Sequence, residues 1–463
     1  MKIVILNGSP KGDLSVTMQY ILYAKKKIPE HDYKILNVAQ QVNNLVKNDE
    51  KLKEFLEEIE GADAVIWGFP LYAMLISSQF KRFIELIFEK NLTDAFRDKY
   101  TMSLMTSIHF FDNTAEHYMH GICDDLEMRF VDFFSADSWD LLYPKERALW
   151  IQFIRIFFEA VETKVPTLRQ YPQITTKEFD YLPGEIQNGE KKVDPGNKKI
   201  IVVSDSTDEN TNLGKMIMRF QKSFSKNIEV INLHDIDIKG PCLGCVKCGY
   251  NHECVYSGKD GFQEFWEDKL MKSDVIIFAG AIKDRFLSST WKMVYDRAFY
   301  NTHTPTLIGK QMGYIISGPL SQIPNLKEMM QAYVEIQMAN LVGFVTDEYG
   351  DSSEIDALLH HLAHKSVKYA ELNLIKPQTF LGVGGTKIFR DDVYGRNRFV
   401  FLADHEWYEE HGIYDTFPQN DKRAAEMNKK LIPLIKIDKV RNKMDFKQEF
   451  LKPFKRVIED PRK

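Results

Sequence analysis

Four of the chain's five cysteines fall within thirteen residues, in "CLGCVKCGYNHEC" from Cys242 to Cys254. The spacing is C-x2-C-x2-C-x5-C, and thiolates two residues apart can fold around a metal or a cluster. Cubane iron–sulfur clusters take four thiolates and often use such compact spacings. Structural zinc more often joins two C-x2-C knuckles across a dozen or more residues. Cys242, Cys245, Cys248 and Cys254 are therefore candidate ligands for a [4Fe–4S] cluster, with zinc or no metal as the open alternatives. Cys123 stands alone in "AEHYMHGICDDLEM" and reads as a small core residue.

Three further stretches could do chemistry. "NGSPKGDLSVT" offers hydroxyls at Ser9, Ser15 and Thr17, with Pro10 and Lys11 in the turn, just before a helical pattern. Hydroxyls, glycines and a helix N-terminus together can make a seat for one phosphate, with an ordinary strand-to-helix turn as the open alternative. The Gly-Lys-Ser/Thr ending of a nucleoside triphosphate loop is missing. "WGFPLYAMLISSQFKRFIELI" places Pro70, Leu71 and Tyr72 where a flat ring could stack. "TSIHFFDNTAEHY" supplies Ser107, His109, Asp112 and Asn113 as polar groups for a ring edge. "HHLAH" and "FLGVGGTK" are weaker and read as a helix face and an ordinary glycine-rich stretch.

These stretches need a scaffold that brings them to one edge. Short apolar runs alternate with helical patterns throughout, the mark of a parallel sheet covered on both faces. "KIVILNGS", "YKILNV", "ADAVIWGFP", "YTMSLMTS" and "RFVDFFS" read as five strands. "KKIIVVSDS", "IEVINLH", "SDVIIFAG", "MGYIISGP" and "LVGFVTDE" read as five more. The halves align as a repeat, Ile3 with Ile201, Asp63 with Asp274 and Lys81 with Lys292, and the cysteine stretch accounts for the shift between the first match and the others. The expected architecture is α/β: two tandem doubly wound parallel-sheet domains, which the resemblance given below makes flavodoxin-like, plus a C-terminal extension. Boundaries fall at 1–182, a Gly/Pro/Lys-rich linker at 183–197, a second domain at 198–378 and the extension at 379–463. In such sheets, ligands bind at the carboxyl ends of the strands around the switch point, where all three first-half stretches lie.

At 463 residues, with 44% hydrophobic and 27% charged residues and a net charge of −5, the chain has no basic excess to draw nucleic acid or an anionic membrane. "MKIVILNGSP" is interrupted too early for a secretory signal, no apolar stretch approaches a membrane span, and a cytoplasmic location is expected. There thiols stay reduced, which favours a metal or redox role for the cysteines over a structural disulfide.

The series "NGSPK…S-x-T", "ADAVIWGFPLY" and a lysine-bearing helix resembles the NADPH-dependent FMN reductase-like branch of flavodoxin-fold proteins. The cysteine stretch after the second strand of the second half resembles the iron–sulfur flavoproteins of that branch. The resemblance spans about residues 1–375 and leaves the tail unexplained. It implies FMN, with its phosphate on the 9–17 loop and its ring beside Pro70, Leu71 and Tyr72, and NAD(P)H as electron donor. The family's usual Arg after Ser-Pro is Lys11 here, and its Asp-Arg pair occurs only in the second half, as Asp296-Arg297. The second half's "SDSTDENTN" loop carries Asp205, Asp208 and Glu209, which disfavour a phosphate. Two functions follow as expectations: an FMN-dependent NAD(P)H oxidoreductase serving a small acceptor or a redox carrier protein, or a non-enzymatic flavodoxin-type electron carrier or redox sensor. The halves are expected to pair as an intrachain pseudo-dimer that sets the cysteine loop against the flavin edge; a homo-oligomer is left open.

Overall fold

A computed structural model describes residues 1–185, 191–417 and 422–445, together with Phe454 and Ile458. The middle of the expected linker and much of the C-terminal end lie outside the described residues. Met1–His405 form one compact unit and Glu406–Lys463 a second. In the second, α14 (Lys422–Ile435) and α15 (Asp438–Arg441) are helical.

The first unit holds two five-stranded parallel sheets, in the orders β2-β1-β3-β4-β5 and β10-β9-β8-β6-β7. In the first sheet the strands are β1 (Lys2–Asn7), β2 (Asp32–Leu36), β3 (Ala64–Pro70), β4 (Tyr100–Ser107) and β5 (Arg129–Asp137). The second has β6 (Ile200–Ser204), β7 (Glu229–Asn232), β8 (Val275–Ala281), β9 (Gln311–Ser317) and β10 (Asn340–Thr346). Each sheet therefore has the flavodoxin-like order, and every expected strand is present. The central runs are apolar on both faces because helices cover both: β1, β3 and β8 are buried along nearly their whole length. Among the described residues, no helix is long and apolar enough to cross a membrane.

Helices of the first domain are α1 (Val16–Lys27), α2 (Val38–Lys47), α3 (Asp49–Glu60), α4 (Ser78–Glu89), α5 (Asp112–Asp125) and α6 (Pro144–Thr163). The second domain adds α7 (Asn212–Lys222), a single turn α8 (Phe262–Glu264), α9 (Ser289–Ala298), α10 (Pro324–Ile336) and α11 (Ser352–Glu371). Beyond it come α12 (Phe380–Tyr394) and α13 (Leu402–Glu410). The glycine-rich "FLGVGGTK" is thus the first half of a helix.

The register corrects one repeat equivalence. Asp63 accepts from Lys2 N at 2.7 Å and returns a bond to Lys2 O at 2.9 Å; Asp274 does the same with Lys199 at 2.8 and 2.9 Å. Ile3 pairs with Ala64 and Ile200 with Val275, so the partner of Ile3 is Ile200 and not Ile201. A one-residue slip would swap the faces of every side chain on the strand. Runs of apolar residues buried on both faces hide such a slip from a sequence pattern. The Asp63–Asp274 equivalence stands on these matching bonds.

The two domains meet through α4 and α9. Lys81 Nζ donates to Lys283 O at 3.3 Å, and Lys292 Nζ donates to Tyr72 O at 2.9 Å. Glu85 accepts from Ser289 N at 2.5 Å at the start of α9, and Asp296 accepts from Ser78 N at 2.8 Å at the start of α4. Each helix thus lends a carboxylate to the other's N-terminus, where unpaired N–H groups favour negative charge. Within each helix the lysine also pairs with that carboxylate four residues on. Both lysines are fully buried.

Candidate functional site

The 9–17 loop follows β1. Asn7, fully buried, donates to Asn37 Oδ1 at 2.7 Å and accepts from Ser9 N at 3.0 Å, which turns the chain away from the strand. Ser9 Oγ accepts from Lys11 N at 3.2 Å, and Ser15 Oγ caps α1 by accepting from Met18 N at 3.2 Å. Thr17 Oγ1 shares a hydrogen bond of 2.6 Å with Thr106 Oγ1 at the end of β4. All three hydroxyls are buried and shape the loop around the helix start, whose first N–H groups have no partner within the helix.

β3 ends at Pro70. Leu71 N then donates to Thr106 O at 3.0 Å, and Tyr72 exchanges two backbone bonds with Leu75, at 2.7 and 2.9 Å. The tight turn so closed carries Ala73 at φ +39° and Met74 at φ +67°, a left-handed pair without glycine. Such a pair is strained and persists only where its surroundings fix it. Thr114 Oγ1, donating to Met74 O at 2.6 Å, is one fixture. The loop after β4 is bent similarly, with His109 at φ +63° and Phe111 at φ +55°. Ser107 Oγ accepts from His109 N at 2.8 Å. His109 Nδ1 lies 2.9 Å from Asp112 Oδ2, which also accepts from Ser135 Oγ at 2.7 Å. The bond to Asp112 raises the His109 pKa, and despite burial the bonds from His109 and Ser135 keep the Asp112 carboxyl low. Asp112 is therefore engaged by its neighbours, while Asn113 is exposed.

The cysteine loop of the second domain rests on this edge. Gln79 Nε2, on α4, donates to Cys242 O at 2.9 Å. A Cβ at Gly244 would lie 1.9 Å from the Tyr72 hydroxyl oxygen and 3.0 Å from Lys11 Cε. Gly244 sits at φ +63°, so both its backbone and its lack of a side chain are used. Burial lowers the Lys11 pKa, opposed by the nearby Cys242 and Cys245. Tyr72, Lys11, Gln79 and the first cysteines thus share one junction.

Arg297 holds both ends of the cysteine loop. It donates to Gly240 O at 2.8 Å before Cys242 and to both oxygens of Asp260, at 2.8 and 3.1 Å, beyond Cys254. It also lies over the Tyr256 ring, 4.4 Å from the centroid. Gly244 N donates to Cys242 Sγ at 3.4 Å, and Cys248 Sγ lies 3.6 Å from Phe299 O. Burial pushes the Cys242 and Cys248 thiols up to about 12. Cys245 is exposed and Cys254 half-buried. Among the described residues, no three Cys, His, Asp or Glu side chains gather as a metal site, so the expected four-sulfur grip is not formed in this conformation. The donor chemistry nevertheless fits a thiolate cluster: four cysteines on one loop, with a backbone N–H already directed at one sulfur.

The equivalent edge of the second domain is closed differently. Where the first domain has Gly8, register places Asp205, whose half-buried carboxyl is raised by desolvation and bonded by Ser288. The 175–184 segment crosses the edge: Tyr181 N donates to Asn212 Oδ1 at 2.8 Å, and Asn212 Nδ2 donates to Phe179 O at 2.9 Å. Asn212 begins α7, so this segment covers the helix start that corresponds to the start of α1 in the first domain. The remaining cavity, about 430 Å³, is bordered by the carboxylates of Asp347 and Glu348.

Sequence reasoning did not single out Asn7 or Gln79. The Asp-Arg pair at 296–297 was the one available signal for the helix that supports the cysteine loop.

Residues 1–132 match the family model described as NADPH-dependent FMN reductase. The match covers 132 of the chain's 463 residues. The FMN reductase match supports an NAD(P)H-dependent FMN oxidoreductase and FMN as cofactor. No curated protein matches the chain. Among solved structures, it is similar to the flavoenzyme NAD(P)H:(acceptor) oxidoreductase FerB of Paracoccus denitrificans at 15% identity, covering 35% of this chain and 97% of that one, with a TM-score of 0.30. It is also similar to the apo form of the NADH:FMN oxidoreductase EMOB, at 18% identity over 34% and 89% with a TM-score of 0.30. A third is general stress protein 14 of Treponema denticola in complex with FMN, at 12% identity over 35% and 98% with a TM-score of 0.26.

Proposed function

We propose that the chain is an FMN-dependent NAD(P)H oxidoreductase whose flavin site lies in the first domain and whose cysteine loop, from the second, completes it. The observation that carries this reading is the seating of Gly244 on Tyr72 and Lys11. FMN, when bound, supplies the means to accept a hydride and to release electrons one at a time. For that group, the 9–17 loop offers the start of α1, shaped by Ser9, Ser15 and Thr17, with Lys11 as the nearby cation. Pro70, Leu71 and Tyr72 offer a strained, pre-set turn for a ring, and the loop bearing Ser107, His109, Asp112 and Asn113 borders it. Cys242, Cys245, Cys248 and Cys254 would hold a [4Fe–4S] cluster. Gln79 and Arg297 fix the loop that carries them, so the thiols stay beside the flavin edge.

The α4–α9 interface is read as the intrachain counterpart of an isologous dimer contact, because its bonds come in reciprocal pairs. Only one of the two related edges keeps an open phosphate seat, so one flavin per chain is expected. A small electron acceptor or a redox carrier protein is the proposed partner.

Protein purified anaerobically would be assayed for flavin, iron, acid-labile sulfide and zinc, and for NAD(P)H oxidation with quinone, ferricyanide and nitroaromatic acceptors. About one FMN with four iron and four sulfide per chain is expected, as a cubane requires. Absence of flavin would overturn the whole reading. Stoichiometric zinc, or no metal after anaerobic reconstitution, would remove the cluster alone. Bound flavin without turnover would favour an electron carrier.

A further inference from the structure

The proposed electron path leaves the segment beyond α11 without a role, yet it touches both sides of the junction. On α12, a Cβ at Gly385 would lie 3.0 Å from the Phe110 ring and 3.1 Å from the Phe111 ring, in the loop after β4. The Phe389 ring centroid lies 4.0 Å from that of Phe110 and 4.0 Å from that of His303. Arg396 donates to Asp137 at 2.8 Å, at the end of β5. Then Val400 presses on the cysteine loop: its carbonyl oxygen would be 2.1 Å from a Cβ at Gly249.

The segment ends in Asp404, which has no exposed surface. Its carboxylate accepts from Thr302 Oγ1 at 2.5 Å, Thr304 Oγ1 at 2.9 Å and His303 N at 3.1 Å. It also meets His303 Nδ1 at 2.8 Å and His252 Nε2 at 3.3 Å. His252 lies between Cys248 and Cys254. Two of these partners are held in unfavourable backbone conformations, Thr302 at φ +48° and His252 at φ +57°. Left-handed φ is a marked outlier for a β-branched residue such as Thr302 and needs support from its surroundings. Burial opposes ionisation of Asp404, but His303 and the donors from His252 and Thr302 keep its carboxyl well below the usual range.

We propose that residues 380–405 form the outer wall of the cofactor cleft, and that Asp404 is the positioning residue that fixes the cysteine loop against the first domain through His252 and the 302–304 turn. The inference rests on the function proposed above only in calling the cleft a cofactor site. The contacts themselves join the 107–113 loop of one domain to the cysteine loop of the other. Two of its four partner residues are strained loop positions, and one of them, His252, lies between Cys248 and Cys254.

The test is hydrogen–deuterium exchange by mass spectrometry on the full chain carrying Asp404→Asn, alongside iodide quenching of bound FMN fluorescence. Asn offers one acceptor oxygen where the carboxylate offers two and carries no charge, so the local closure weakens. Peptides covering 242–258 and 299–305 should exchange roughly tenfold faster or more, while peptides of α4 keep their wild-type rates. Iodide quenching should rise several-fold as the flavin edge is uncovered. Gly249→Ala, which pushes the loop off Val400 without touching Asp404, should move both readouts the same way, and it decides the matter if Asp404→Asn does not fold. Wild-type exchange in both peptides in a folded variant would overturn the proposal. Faster exchange spread evenly over the chain would also overturn it, because Asp404 would then be a general stability residue. If no FMN is bound, the flavin reading fails, and the exchange data still decide the wall.

Discussion

Replacing Gly244 by Ala places a methyl group where the structure has a tyrosine hydroxyl oxygen 1.9 Å away. Two costs follow. Ala at φ +63° meets the left-handed penalty, about 1–2 kcal/mol. Overpacking against Tyr72 and Lys11 adds about 1–3 kcal/mol. The sum, roughly 2–5 kcal/mol, is an upper bound, because the loop can peel away and lose only what its docking contributes. Tyr72→Phe removes the nearest atom but leaves Cζ at 3.1 Å and Lys11 Cε at 3.0 Å, so it should rescue in part. The assay is a double-mutant cycle from urea denaturation midpoints, with the slope checked for constancy. Tyr72→Phe alone should be mild, and the double variant should be more stable than the sum of the two losses by about 1–2 kcal/mol. Losses that add within about 0.5 kcal/mol would refute the seating of the cysteine loop on Tyr72, and with it the observation that carries the proposed function.

Lys81→Met should cost about 3–5 kcal/mol by urea denaturation, since it takes the buried cation from Asp284 and leaves Glu85 only Arg82 and Ser289; Lys51→Met, at an exposed pair, should stay within about 1 kcal/mol. His109→Phe should lower stability below the ordinary imidazole pKa, and the deficit should shrink as pH rises through the raised His109 pKa, because the imidazolium's contribution is lost there in the wild type. A deficit that instead grows with pH would contradict the His109–Asp112 pairing. Ser9→Asp should reduce extracted flavin from about one equivalent to near zero, by placing an anion at the phosphate seat; full flavin retention in that variant would count against the first-domain site.

Local patterns in the chain were enough to place the ten strands, their two sheets and the loops that border the first sheet's carboxyl edge. Alternating apolar runs and turn residues are local signals, and a doubly wound topology sends every βα loop to the same edge. The sequence also singled out the acidic second-half loop, because Asp205, Asp208 and Glu209 lie close together in the chain. Register was only partly legible: Ile3 could slide by one residue because both faces of the strand are apolar, and the matching Asp63 and Asp274 bonds resolve it. The reciprocal bonds between α4 and α9, Gln79 on the Cys242 carbonyl, Gly244 on Tyr72 and Asp404 on His252 join residues from 152 to 220 positions apart. Nothing in a local pattern marks such partners. Whether a buried lysine meets a carboxylate or a carbonyl, and whether a glycine faces solvent or a phenol, is decided only when the two domains pack and exclude water between them.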